Sequence, residues 1–92
     1  VVPITQSLRK VDGDKNAAMS REGVVAVQTP QCFDLSVLKP AFEAEYQESF
    51  TDDATVFEHA GHIIQLVDGE ETNLKVTTPA DLAIAEAILA LR

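Results

Sequence analysis

Two cations and one hydroxyl stand where phosphate chemistry could use them. Lys75 lies in Asn73-Leu74-Lys75-Val76, inside a strongly acidic stretch of the chain. Strand alternation would put Leu74 and Val76 on one side and Asn73, Lys75 and Thr77 on the other, toward the carboxyl end of the strand where α/β folds receive ligands. The residues alone leave Lys75 open between that role and an ordinary solvated charge. Arg21, just before Gly23, is likewise either a surface charge or a phosphate clamp reaching into a neighbouring molecule. Thr51 precedes Asp52-Asp53 at an expected helix start, where a hydroxyl and a backbone amide form an anion-binding corner. The two carboxylates themselves read better as helix caps than as cation ligands, because they satisfy free amide hydrogens and complement the positive end of the helix dipole.

Other reactive groups carry weaker signals. His59 and His62 are three apart, but Gly61 ends the expected helix between them and no third donor is evident, so a solvated or capping pair is preferred over a metal site. Cys32 has no cationic neighbour to lower its pKa and reads as a buried filler. Phosphate cradles of the G-x-x-x-x-G-K or G-x-G-x-x-G kind, CxxC, HExxH and G-x-S-x-G are all absent from these 92 residues.

The elements that must position these residues alternate between strand and helix. Residues 3–8 and 23–27 read as extended segments. Between them lies a polar stretch, residues 7–22, with a turn at Asp12-Gly13-Asp14 and few core candidates, which suggests an arm projecting from the body. Leu35, Leu38, Phe42 and Tyr46 follow helical spacing, interrupted by Pro40. A short turn over residues 34–39 and a helix restarting with Pro40 in its first turn are expected. Asp52 should cap a helix over residues 53–60 that closes at Gly61. Residues 62–67 and 73–76 read as short strands broken at Asp68-Gly69. Thr78-Pro79-Ala80-Asp81 then combines an N-cap threonine, a proline at N1 and an acid at N3 before a final helix. Its Leu82, Ala85, Ile88, Leu89 and Leu91 suggest packing on a sheet. Two body strands are too few for an independent sheet, so the others must come from elsewhere.

Composition limits the classes of function. Seven basic against fifteen acidic residues give a net charge of −8, which argues against a nucleic-acid or anionic-membrane surface over the whole chain. Four of the seven basic groups fall in residues 1–33, whereas twelve of the fifteen acids fall in residues 34–92, so the arm is the cationic part. No apolar run approaches the roughly 18–20 residues of a bilayer span. A lone cysteine suits a reducing compartment, and the expected location is the cytoplasm. The chain opens on Val1-Val2-Pro3-Ile4 without an initiator Met, like one piece of a longer polypeptide.

Three stretches stand out together: Thr29-Pro30-Gln31 followed by Phe33; Phe50-Thr51-Asp52-Asp53-Ala54; and Asn73-Leu74-Lys75-Val76-Thr77 with Pro79-Ala80-Asp81-Leu82-Ala83. In this order and at these separations the chain resembles the C-terminal part of the 2-C-methyl-D-erythritol 4-phosphate cytidylyltransferases of the non-mevalonate isoprenoid pathway, over essentially its whole length. The resemblance implies the C-terminal part of a Rossmann-like α/β nucleotidyltransferase domain. Residues 1–27 would be a projecting β-arm that interlocks with a second subunit in a homodimer, and residues 28–92 the C-terminal α/β part of the catalytic domain. It also implies transfer of CMP from CTP to methylerythritol phosphate with release of pyrophosphate. By position, Arg21 matches the family's arm arginine, which reaches the substrate in the partner subunit's site. Lys75 matches the lysine that positions the substrate phosphate with it, and Thr29 and Thr51 match threonines lining the pocket.

In that family the Gly-rich nucleotide loop and the Mg²⁺-binding aspartate belong to the N-terminal half, which these residues do not include, so this chain alone is expected to be inactive. Val27 and the acidic Asp12, Asp14 and Glu22 depart from the family's arm. The alternatives are a ribitol 5-phosphate cytidylyltransferase, against which Asp53-Ala54 speaks, and a non-catalytic acidic dimerisation module.

Overall fold

The computed structural model describes residues 1–92, in the order β1 (Val2–Pro3), β2 (Leu8–Asp12), β3 (Lys15–Met19), β4 (Val25–Ala26), α1 (Leu35–Ala41), α2 (Asp53–His59) and α3 (Pro79–Ala90). It divides into two units, one made of residues 1–29 and 68–92, the other of residues 30–67.

In the first unit, β2 and β3 form an antiparallel hairpin closed by the pair Asp12↔Lys15. Gly13 supplies the positive φ, +61°, that a two-residue hairpin turn requires. The polar stretch that reads as a connecting tip is therefore itself a regular hairpin. Leu8 is half-buried and the other nine strand residues are exposed, with Val11 at 70% of its full accessibility. At its base, β1 and β4 pair antiparallel with Val2↔Ala26 and Pro3↔Val25. The chain turns back into β4 through residues 21–24, where the Val24 amide donates to the Arg21 carbonyl at 3.0 Å and Gly23 sits at φ +72°. A positive φ at the third position of such a turn is what favours glycine there.

The final helix begins as its residues require. Thr78 accepts from the Asp81 amide, and the Asp81 carboxylate accepts in return from the Thr78 amide, with Pro79 in the first turn. Sheet packing is the expectation that fails: within its unit α3 lies against no strand, and Leu82, Leu89 and Leu91 remain exposed.

In the second unit α1 packs on α2, and Ala41 and Val56 are the chain's two buried apolar residues. The structure corrects the reading around Pro40. Asp34 caps α1 by accepting from the Ser36 amide and hydroxyl, so the helix starts at Leu35, ahead of Pro40, and contains the proline in its last turn. No helix restarts beyond it. The Phe42 and Glu43 amides close tight bonds to the Lys39 and Pro40 carbonyls, and Phe42 and Tyr46 stay exposed. α2 matches expectation, with Asp52 as N-cap in a capping box with Thr55 and Gly61 at φ +94° just past its C-cap Ala60.

The two expected body strands do not form. Residues 62–67 and 73–76 belong to neither sheet. A strand satisfies its backbone amides and carbonyls through a ladder, and neither segment forms one within this chain. Ile63, Leu66, Val67 and Val76 accordingly show their apolar side chains to solvent. Cys32 also corrects expectation, since it is exposed. No helix is long and apolar enough to cross a membrane.

Candidate functional site

Thr29-Pro30-Gln31 anchors the site residues by one side-chain grip within each unit. In the first, the turn over residues 70–73 closes through the Asn73 amide to the Glu70 carbonyl at 3.0 Å. Asn73 then donates its side-chain amide to the Thr29 carbonyl at 2.7 Å. Gln28 donates its side-chain amide to the carbonyls of Glu70, at 2.7 Å, and Asn73, at 3.3 Å. The Gly69 amide donates to the Val1 carbonyl at 2.7 Å, which holds the same loop to the β1 end. Four hydrogen bonds thus fasten residues 69–73 to the backbone around β1 and Thr29, and Lys75 follows two residues later.

Lys75 is exposed, and its ammonium has neither a hydrogen-bond nor an ion-pair partner in this acidic chain. That leaves its charge available to an anion. It stands on an extended loop rather than on the expected strand. Leu74 is half-buried whereas Lys75 and Thr77 are exposed, so the alternation read from the sequence survives in part without the ladder.

Thr29 is exposed, and its carbonyl is engaged by Asn73. Arg21 is exposed between β3 and β4, where its guanidinium donates to the Thr5 carbonyl. The structure therefore brings Thr29 and the Lys75 loop together directly, whereas Arg21 ties the segment after β3 to the one after β1. In the second unit, the Gln31 amide group spans the start of α2, donating to the Asp52 carboxylate at 3.0 Å and accepting from the Ala54 amide at 3.3 Å. Thr51 is exposed just ahead of it. Its amide donates to the Ser49 carbonyl at 3.0 Å, so of the expected anion-binding corner only the hydroxyl is uncommitted.

The remaining candidates have structural partners. Asp52 is a cap whose carboxyl is held below the usual carboxylate range, chiefly by the Thr55 amide, with further hydrogen bonds from the Gln31 and Thr55 side chains. Asp81 is lowered too, first by the Thr77 amide and then by the Thr77 hydroxyl and Thr78. The His59 ring meets Phe50 edge-on and the His62 ring leans on Phe57. No three His, Cys, Asp or Glu side chains converge to hold a metal ion.

Gln28 and Asn73 are the positions that a reading of local sequence misses as supports. The signal was present only as adjacency, Gln28 beside Thr29-Pro30-Gln31 and Asn73 two residues before Lys75. Their contacts bridge more than forty residues of chain.

A family model described as 2-C-methyl-D-erythritol 4-phosphate cytidylyltransferase matches residues 1–91. The chain belongs to that family. It is 42% identical over 89 residues to the protein of that name from Bacteroides fragilis, covering 97% of this chain and 41% of the relative. It is 44% identical over 94 residues to the one from Rubrobacter xylanophilus, covering 99% and 41%. With the Nostoc punctiforme protein it shares 45% over 95 residues, covering 99% and 42%. Among solved structures it matches a crystal structure of 4-diphosphocytidyl-2C-methyl-D-erythritol synthase with a TM-score of 0.79 and 34% identity, over 96% of this chain and 40% of that one. The mixed α/β fold of this family member is thus that of the corresponding part of the synthase. The chain spans about two fifths of the length of the curated relatives it matches.

Proposed function

We propose that this chain is the substrate-phosphate side of a cytidylyltransferase that moves CMP from CTP to 2-C-methyl-D-erythritol 4-phosphate, acting in the cytoplasm as a homodimer joined through the β-arms. The observation that carries this reading is the pairing of a family match over residues 1–91 with an unpartnered Lys75 ammonium on a loop fastened to Thr29.

In the proposed reaction an oxygen of the substrate phosphate attacks the α-phosphorus of CTP. A new P–O–P bond forms, the bond to the β-phosphate bridging oxygen breaks, and pyrophosphate leaves with that electron pair. Both reactants are anions. A lysine fixed beside the incoming phosphate offsets their repulsion and holds the attacking oxygen in line, which lowers the barrier both by orientation and by charge. Arg21, lent by the partner's arm, would supply the second cation, with Thr29 and Thr51 as pocket groups. CTP and Mg²⁺ would be held by parts of the enzyme that these residues do not include. The same parts would provide strands against residues 62–67 and 73–76 and cover the apolar side chains of α3.

The test is pyrophosphate release by the full-length enzyme. Lys75→Ala should lower kcat/KM for methylerythritol phosphate by more than about tenfold, or ~1.4 kcal/mol of transition-state stabilisation. Near-normal turnover would remove Lys75 from this role. The 92-residue chain alone should release no pyrophosphate from CTP.

A further inference from the structure

Gln28 is built oddly for a residue that only stabilises. Its amide nitrogen uses both hydrogens on the carbonyls of Glu70 and Asn73, the two ends of the turn that leads into Lys75. Those two acceptors fix which end of the amide is nitrogen. The oxygen is consequently turned toward Gly69, where it is buried and accepts no hydrogen bond. A Cβ on residue 69 would overlap the end of the Gln28 side chain and come to 3.2 Å from the Val1 carbonyl, so glycine here allows the close approach rather than supplying a positive φ. A buried, unsatisfied amide oxygen opposes folding, and an apolar side chain of the same shape would avoid it. What the apolar residue could not do is hold both ends of the turn at once.

We infer that Gln28 is a positioning residue for the cytidylyltransfer reaction, acting with Asn73 through the loop to place the Lys75 ammonium against the substrate phosphate. This rests on the function proposed above. The two side chains work reciprocally: Gln28 grips the turn from the β4 side, while Asn73 of the turn grips the carbonyl of the next residue, Thr29. Lys75 is two residues beyond Asn73 on a segment with no ladder of its own, so these contacts are what set its position. Fixing the backbone at Lys75 leaves its rotamers free but confines the region its ammonium can reach before the phosphate arrives.

The experiment is a double-mutant cycle in the full-length enzyme, with CTP and methylerythritol phosphate as substrates. Gln28→Met keeps the side chain's size and removes its donors, and Asn73→Ala releases the Thr29 carbonyl. Each should lower kcat/KM for methylerythritol phosphate by about tenfold while KM for CTP stays within about twofold, and neither should lower activity further when Lys75 is already alanine. A kcat/KM like that of the wild type, or a loss that adds to that of Lys75→Ala, overturns the inference. If one variant fails to fold, the other decides. If both fail, the pair is a folding brace and the inference is wrong. Impaired Lys75→Ala enzyme with normal Gln28→Met enzyme defeats the inference alone, whereas active Lys75→Ala enzyme defeats the function proposed for the chain and this inference with it.

Discussion

Asn73 donates its side-chain amide to the carbonyl of Thr29, 44 residues earlier in the chain, at 2.7 Å. That bond joins two of the three sequence stretches on which the family resemblance rests. The third is held by the neighbouring Gln31, whose amide group engages both Asp52 and Ala54. Each stretch is thus held by a side chain or carbonyl of another. Lys75 and Thr51 each follow from one of these grips by a short length of backbone.

The contact between Gly69 and Gln28 makes a stability prediction. Gly69→Ala should destabilise the full-length enzyme by ~1–3 kcal/mol, since the new methyl displaces the Gln28 amide from its two carbonyls. In a Gln28→Ala background the same methyl has room, apart from a 3.2 Å approach to the Val1 carbonyl, and should cost less than ~1 kcal/mol. Urea denaturation of the four chains of this cycle measures the coupling, and simple additivity would contradict the contact.

The capping box of α3 makes another. Thr78→Ala removes the acceptor for the Asp81 amide and should cost ~1 kcal/mol, whereas Thr78→Ser retains the hydroxyl and should stay close to wild type. Equal denaturation midpoints for the alanine and serine variants would show that the hydroxyl does not matter.

Acid dependence follows from the carboxylates. Asp81 and Asp52 both have folded-state pKa values below the ordinary aspartate value, Asp81 chiefly through the Thr77 amide and Asp52 chiefly through the Thr55 amide. A group depressed on folding contributes stability that is complete above its unfolded pKa, near pH ~4, and that disappears as pH falls through the folded value. Stability should therefore drop below about pH 4, and Asp81→Asn, which carries no charge at any pH, should be less stable than wild type above pH ~6 and converge on it in acid, so that its decline is shallower. Denaturation midpoints across that range check it; an unchanged acid limb in the asparagine variant would contradict it. Both side chains are only half-buried, so the change is modest.

These local devices are the part of the fold that the sequence carries plainly. Thr78, Asp52 and Gly61 cap helices through contacts within a few residues, and Asp12-Gly13-Asp14 turns the hairpin by its own backbone preference. Pro40 misleads because Asp34 starts the helix early enough for the proline to fall in its last turn. Residues 62–67 and 73–76 have strand composition, but strand formation is decided by a neighbour that their composition does not contain. For the candidate site, Arg21, Thr29, Thr51 and Lys75 could be named from the resemblance. Gln28 and Asn73 could not be recognised as the supports of Lys75, because nothing in a window of sequence reports which carbonyl a distant amide will find.

The central claim is that two cations meet at one phosphate, Lys75 from the subunit that owns the site and Arg21 from its partner. Mixed dimers of the full-length enzyme test this most directly: one subunit carries Arg21→Ala, the other Lys75→Ala, and each homodimer is impaired. If Arg21 acts across the dimer, mixing should restore one of the two sites in each mixed dimer, the one with its own Lys75 and the partner's intact arm. Activity of the mixture should then rise well above that of either homodimer alone. Activity no greater than the average of the two homodimers, with subunit exchange verified by mass spectrometry, would contradict the claim.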